Sequence, residues 1–367
     1  MSPATDPAGT DSLARLWAVV PAGGAGTRLW PLSRASSPKF LHDLTGSGRT
    51  LIQATVDRLV ALVGNRVLVV TGAAHQDAVR EQLPELAAAQ VVAEPSARDS
   101  MAAIGLAAAT VERDDPHGLV GSFAADHVIR DGEAFRACVR EAAAVADTGL
   151  LVTIGIEPTS PSTGFGYIRA GEPLPGFGTA RAVEEFVEKP DAERARGYVE
   201  SGSYRWNAGM FLARASVLLD LLADQHPGLA AGLRAIAADP TTIERAWPGL
   251  EKIAIDHAVA EPAAAAGKVA MVPGGFGWDD VGDFASLRDR LPAHGGTAVL
   301  GDRDLVISRD STGLVVPGGG RLVAVVGVEG VVVVDTGDAL LVATAERAQD
   351  VKAVVEELGA RGLTGLL

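Results

Sequence analysis

The chain has a single cysteine, Cys138, among its 367 residues, so no disulfide can form within it. That cysteine falls in a pattern read as an amphipathic helix over 132–146, where a small buried hydrophobe is expected rather than a nucleophile. Basic residues are also in deficit: 32 Lys and Arg stand against 46 Asp and Glu, a formal net charge of −14. That balance argues against a nucleic-acid binder, which carries a basic surface. No run of about 20 apolar residues is present to cross a membrane. The nearest stretch, 322–334, is broken by Gly327, Glu329 and Gly330. The first ten residues lack the basic and apolar regions of a secretory signal. The expectation is a soluble cytoplasmic protein. What the chain does have is 47% hydrophobic residues and enough length for one large domain and a smaller one.

The densest local signal is Ala22-Gly23-Gly24-Ala25-Gly26-Thr27-Arg28-Leu29-Trp30-Pro31-Leu32-Ser33-Arg34, followed by Pro38-Lys39-Phe40. It comes directly after the apolar run 16–20, which reads as a buried first strand. A glycine turn there can bring bare backbone N–H groups against phosphate oxygens. Arg28, Arg34 and Lys39 add cations within the same loop, a setting for a polyphosphate. A Walker loop is excluded, because no G-x-x-x-x-G-K-[ST] spacing occurs. The dinucleotide fingerprint would begin at Gly24 and Gly26 but meets Leu29 at its third glycine, where helix and strand must pack closely.

This loop resembles the signature of the sugar-1-phosphate nucleotidyltransferases, and within them the mannose-1-phosphate guanylyltransferases, whose pattern is approximately GGxGTRLWPLSR…PK(Q)F. The match departs only where Phe40 follows Lys39 directly, a place many members give to Gln. The resemblance implies Ala22, Gly23, Gly24, Gly26, Thr27 and Arg28 as nucleotide contacts, with Arg28 and Lys39 as the catalytic cations.

From 16 to about 272 short apolar runs alternate with helical patterns. Strands are predicted at 16–20, 67–70, 91–93, 119–123 and 151–156, and helices at 51–62, 76–83, 101–111 and 133–146. The alternation predicts an α/β fold, a Rossmann-like, mostly parallel mixed sheet flanked by helices, over 16–290 after a flexible tail at 1–15. Ligand groups in such sheets gather past the carboxyl ends of the strands, where the glycine loop, Glu94 and Asp126 fall. Beyond 291 short Val-rich runs alternate with Gly, Asp and Pro turns, predicting a small β-rich, β-helix-like domain over 291–367 that ends in a helix at 345–358. No catalytic constellation stands out there, and the tail reads as structural or as an oligomer contact.

Asp126 ends a predicted strand, and Asp280 lies far away in Gly277-Trp278-Asp279-Asp280-Val281-Gly282. Two carboxylates in one cleft would make a Mg²⁺ site completed by phosphate oxygens and water. Each alone is more often a cap or turn residue. The resemblance supports the pair, since the family's metal aspartates sit in PADH and W-x-D-x-G motifs; Ala124 stands where the family usually has Pro. Spacing to Gly282 favours Asp280 over Asp279. His127 is not expected to act as a base, because a phosphate nucleophile is already an anion.

Three further segments occur in the family's order: Gly164-Phe165-Gly166-Tyr167, Phe186-Val187-Glu188-Lys189-Pro190 at the end of a strand-like run, and Trp206-Asn207-Ala208-Gly209-Met210-Phe211. There they resemble the sugar-phosphate site, so Gly166, Glu188, Lys189 and Asn207 are carried over. Taken alone, Glu188-Lys189 reads as a solvated pair before a proline turn. The segment Glu94-Pro95-Ser96-Ala97-Arg98-Asp99-Ser100-Met101-Ala102 resembles the family's EPxxRNTAxA, with Asp99 and Ser100 replacing Asn and Thr. It implies Glu94, Arg98 and Ala102 as nucleotide contacts. Glu94 is the expected acceptor of guanine N1–H and N2–H₂; the alternative is a helix-start acid favoured by the dipole.

The implied reaction is GMP transfer from GTP to α-D-mannose 1-phosphate, giving GDP-mannose and pyrophosphate. Alternatives are a glucose-1-phosphate enzyme using UTP or dTTP, a non-catalytic sugar-nucleotide-binding subunit, and, more remotely, a dehydrogenase. A homodimer is expected. Some relatives carry an added isomerase domain of the cupin type; none is expected here.

Overall fold

The computed structural model describes residues 12–24 and 26–367. Most of the expected tail, 1–11, lies outside the described residues, as does Ala25 in the glycine loop. Its last part is not loose: Ser12 is buried and bonds Asp147, which also pairs with Arg15.

Strand β1 (Leu16–Ala22) is apolar throughout because both of its faces are covered, as in the centre of a parallel sheet. It lies parallel between β2 (Val67–Gly72) and β4 (Leu119–Ser122), and β3 (Val91–Glu94) extends the same edge beyond β2. The order therefore reverses at β1, so the crevice past the carboxyl ends of β1 and β4 is the place for a ligand. Helix α1 (Leu51–Val63) starts on a capping box in which Thr50 and Gln53 satisfy each other's backbone N–H groups. Helix α2 (Asp99–Asp114) is rich in small residues, which lets α4 (Ala215–Gln225) and α5 (Pro227–Ala238) approach closely. A Cβ at Gly105 would come within 2.6 Å of Leu233 Cδ1. Helix α3 (Gly132–Ala146) is capped by Asp131, and its Cys138 is buried.

The remaining strands are β5 (Leu151–Ile156), β6 (Tyr167–Pro173), β7 (Arg181–Val187), β8 (Tyr204–Arg214) and β9 (Val269–Pro273). The nine-stranded order is β3-β2-β1-β4-β8-β5-β9-β7-β6. The sheet is parallel in its first half, but β8 runs antiparallel to β4, β5 and β6. Of β6 to β9, sequence periodicity shows only β7, as the strand-like run before Glu188. In β6 and β8 the apolar residues are interrupted by the polar groups they carry, whereas β9 is a short apolar run, Val269-Ala270-Met271-Val272-Pro273. The fold is therefore mixed, with helices packed on it.

The C-terminal unit contains β10 (Thr297–Val299), β11 (Val306–Arg309), β12 (Gly313–Pro317), β13 (Val323–Val326), β14 (Val331–Asp335) and β15 (Leu340–Thr344). Parallel β10, β12 and β14 form one sheet and parallel β11 and β13 another, the coiled arrangement of a β-helix, closed by antiparallel β15. The terminal segment is not one helix: Ala345–Asp350 is a 3₁₀ turn and α6 spans Val351–Ala360. The core of this unit also takes in Leu29, Trp30, Val281, Phe284 and Leu287 from the larger one.

Candidate active site

The glycine loop leaves β1 at Ala22, whose carbonyl accepts a bond from Thr71 Oγ1 (2.8 Å). Gly23 and Gly24 are exposed. Gly26 has φ +65°, and a Cβ there would lie 2.6 Å from Lys39 Cβ, so only glycine lets the loop pass over that side chain. Thr27–Leu29 form a 3₁₀ turn that leaves Arg28 exposed, and Ser33 Oγ donates to the Gly26 carbonyl. Lys39 is 6% exposed, with Nζ 2.7 Å from Asp126 Oδ2 and 2.6 Å from the Asp280 carbonyl oxygen.

Asp126 and Asp280, distant in sequence, meet because Val128–Ile129 and Trp278–Asp279 pair as two short antiparallel strands. Burial pushes the Asp126 carboxyl upward, but the Lys39 ammonium overrides this and holds it below the usual range. Burial raises the Asp280 carboxyl, with Lys39 opposing and Asp126 adding to the rise. Asp279 is otherwise engaged: its carboxylate pairs with Arg290 and accepts the Val281 N–H. Val281 has φ +46°, a strained conformation for a β-branched residue, next to Asp280. Burial drives the His127 imidazole down to about 4, so it is neutral near pH 7.

Beside the loop is a cleft of about 340 Å³ lined by Gly23, Gly24, Glu94, Ser100, Ala103 and Asp126 among others. Glu94 is 7% exposed, and its Oε2 has no hydrogen-bond partner. Burial, helped by Asp99, pushes its carboxyl up to about 7, with Arg98 opposing. Two residues implied for this pocket do not line it. Ala102 faces the core, because α2 begins at Asp99 and its phase presents Ala103 to the cleft. Arg98 turns away to donate to the Pro248 carbonyl (2.7 Å).

Across the cleft, Gly166, Glu188, Lys189 and Asn207 come together. A Cβ at Gly166 would lie 2.6 Å from Glu188 Oε2 and 3.3 Å from Asn207 Cβ. Glu188 and Lys189 pair with each other at 2.7 Å, Glu188 side-chain buried and Lys189 exposed. Burial works against the Lys189 charge, but the bond to Glu188 raises its pKa overall, and Arg28 is near enough to oppose that rise. Asn207 Oδ1 accepts from Thr153 Oγ1 (2.8 Å) and Gly209 N (3.1 Å), while Nδ2 donates to Asp256 Oδ1 (2.9 Å). Its side chain is thus held largely by the protein.

Asp256 is a site residue that sequence reasoning missed. It opens a π-helical turn, Asp256–Ala260, a local form frequent at functional sites. Burial, then the nearby Glu188, raises its carboxyl to about 6. The available signal was an acid between apolar Ile255 and Ala258, without a turn residue beside it. Phe165, Trp206, Trp278 and His127 link the two sides as an aromatic wall, with ring centroids 5.0 to 5.4 Å apart. Arg34, read in the sequence as a loop cation, does not face the cleft; it forks onto Asp338 of the C-terminal unit at 2.7 Å on each oxygen.

A family model for nucleotidyl transferases matches residues 17–294, and one described as a mannose-phosphate isomerase/GMP-like β-helix domain matches 304–358. Xanthan biosynthesis protein XanB of Xanthomonas campestris is 42% identical over 354 residues, covering 94% of this chain and 73% of that protein. The mannose-1-phosphate guanylyltransferase of Escherichia coli K12 is 40% identical over 361 residues, covering 95% and 74%. A crystal structure from Thermus thermophilus, described as a mannose-1-phosphate geranyltransferase, superposes with a TM-score of 0.84 at 33% identity, covering 94% of this chain and 99% of that one. The chain therefore belongs to the nucleotidyl transferase family, in the mannose-1-phosphate guanylyltransferase group that carries a β-helix domain.

Proposed function

We propose that the protein transfers GMP from GTP to α-D-mannose 1-phosphate, releasing pyrophosphate and forming GDP-mannose. The observation that carries this reading is the meeting of Lys39 with Asp126 and the Asp280 backbone under a glycine loop, opposite the Glu188–Lys189 pair. In this scheme a phosphate oxygen of the sugar phosphate attacks the α-phosphorus in line. The bond from that phosphorus to the bridging oxygen breaks, and the bridging oxygen leaves with pyrophosphate.

The chain's own part is positioning and charge neutralisation, without a covalent intermediate. Backbone N–H groups of Gly23, Gly24 and Gly26, with Ala22 and Thr27, would cradle the triphosphate. Exposed Arg28 would follow the departing β- and γ-phosphates, and Lys39 would offset charge at the α-phosphate. Lys189 would hold the sugar phosphate, while Glu188 and the Asn207–Asp256 pair would take up sugar hydroxyls. Glu94, with an unpartnered oxygen in the cleft, is the acceptor proposed for the guanine edge. No general base is required, which accords with a neutral His127.

Among the described residues no group of three or more His, Cys, Asp or Glu is placed to hold a metal ion. Two carboxylates alone, Asp126 and Asp280, suit Mg²⁺, which keeps open positions for phosphate oxygens and water. When bound there, the ion would neutralise phosphate charge. Among the described residues no helix is long and apolar enough to cross a membrane. A pyrophosphate-release assay over GTP, ATP, UTP and dTTP, each with mannose and glucose 1-phosphate, tests the reading. Turnover with GTP and mannose 1-phosphate is expected to dominate; preferred turnover of another pair would refute the specificity, and release with none would refute the reaction.

A further inference from the structure

We infer that the C-terminal β-helix domain is a positioning part of the transfer site, clamping the glycine loop through Arg34–Asp338 and Trp30–Leu366 while its core holds the segment around Asp280. The inference rests on the nucleotidyl-transfer reading above and concerns residues that reading leaves without a role.

The clamp is specific in geometry. Trp30 is buried in the C-terminal core, and its Nε1 donates to the Leu366 carbonyl (2.7 Å). The Arg34 guanidinium makes four hydrogen bonds: two to Asp338, one to Thr336 Oγ1 (3.3 Å) and one back to the Pro31 carbonyl (3.1 Å). A planar fork on a carboxylate fixes orientation as well as distance. That fork is used up on Asp338, leaving Arg34 little capacity to bind phosphate. The Arg34 side chain is 12% exposed and Asp338 is 51% exposed, so the anchor sits at the surface and its holder inside.

The same core reaches the other side of the cleft. Val281 is fully buried in it and keeps its strained backbone there, one residue after Asp280. Phe284 and Leu287 follow into the core, and Gln349 of the terminal turn bonds Asp283. One packed body thus touches both the loop that carries Arg28 and the segment that carries Asp280. Lys39, bonded to the Asp280 carbonyl, spans the two. Displacing reacting groups by about 1 Å can cost about a hundredfold in rate, so a distant anchor can matter kinetically while mattering little to folding.

The test compares Asp338→Ala, Arg34→Ala, the double variant and Asp338→Glu in the full chain. Each single alanine substitution is expected to lower kcat/KM for GTP by about ten- to a hundredfold. The double variant should fall no further, because both changes break one device. Asp338→Glu should recover most of the loss, and Tm should move by less than about 3 °C in the Asp338 variants, whose carboxylate is exposed. Hydrogen exchange of the amides in 26–34 should rise in Asp338→Ala even without substrate.

Wild-type kcat/KM and unchanged exchange in Asp338→Ala would overturn the clamp. So would Arg34→Ala falling far below Asp338→Ala, which would assign Arg34 to phosphate directly. If Arg34→Ala does not fold, the Asp338 variants still decide. A wild-type protein that releases no pyrophosphate with any pair refutes the underlying reaction instead, and the exchange measurement then decides the clamp separately.

Discussion

Glu94 is buried with an oxygen that nothing in the protein satisfies, and this makes Glu94→Gln a sharp test. Its carboxyl is raised from 4.5 to about 7, chiefly by burial. An acid whose folded pKa is raised binds protons more tightly in the folded than in the unfolded state. The unfolded chain ionises first, so stability falls as pH rises from about 4.5 to about 7 and then stays level. At about 1.4 kcal/mol for each pH unit, the penalty at pH 8 is at most about 3.5 kcal/mol. Glutamine removes it. The variant should therefore melt a few degrees higher than wild type at pH 8, and the difference should vanish near pH 4.5.

The same substitution should damage nucleotide use. A carboxylate accepts both donors on the guanine edge, whereas glutamine turns an amide donor toward one of them. We expect kcat/KM for GTP to fall about a hundredfold and the GTP:ATP ratio to narrow. In wild type only the ionised form binds well, and about a tenth of Glu94 is ionised at pH 6. KM for GTP should then be about tenfold higher at pH 6 than at pH 8. Titration of the triphosphate is common to both proteins, so the slope that disappears in Glu94→Gln belongs to Glu94. Melting curves from pH 4.5 to 8 and steady-state kinetics over the upper range make the measurement. An unchanged GTP:ATP ratio, or a variant no more stable at pH 8, would sink the reasoning.

Lys39→Ala should lower kcat by at least about a hundredfold, since it also leaves Asp126 without its ion pair; near-normal turnover would overturn its role. Lys189→Ala should raise KM for mannose 1-phosphate with a smaller effect on kcat, and an effect confined to KM for GTP would move Lys189 to the nucleotide side. In Gly166→Ala the new methyl meets Glu188 Oε2, so KM for the sugar phosphate should rise about tenfold with little change in KM for GTP. Unaltered sugar kinetics there would remove Gly166 from the site.

The parts of the site legible in the sequence are those where chemistry and local structure coincide. The glycine loop follows an apolar strand, and Asp126 follows another, so strand periodicity located both. Contacts made across the fold left weaker marks. Nothing local distinguishes Arg34 from Arg28, because the partner of Arg34 is Asp338 and lies 304 positions away. Ala102 was implied by its place in the family-like segment; in the helix that starts at Asp99 it is Ala103 that lines the cleft, while Ala102 is buried in the core. Asp256 escaped because one acid in an apolar turn resembles a surface residue until Asn207 and Glu188 are brought against it. Strands β6 and β8 escaped because they carry polar groups at positions where alternation would otherwise show, and β9 because a five-residue apolar run cannot be told from a buried helix segment by periodicity alone.

Strand β8 places Asn207 opposite Gly155 in β5, and four residues later Phe211 opposite Ser122 in β4. These four steps of β8 lie against only two of β5, Thr153 to Gly155, because a bulge with Gly209 at φ +67° takes up the extra residues and fixes the spacing along one element. The sugar side and the nucleotide side of the cleft are in effect marks on a single ruler. Adding or deleting one residue within it would turn every subsequent side chain to the opposite face of the sheet. Surface turns such as 159–164 carry no such constraint. Divergence toward other sugars or nucleotides within this fold should therefore accumulate as changes in loop length, while β8 tolerates exchange of side chains but not of length.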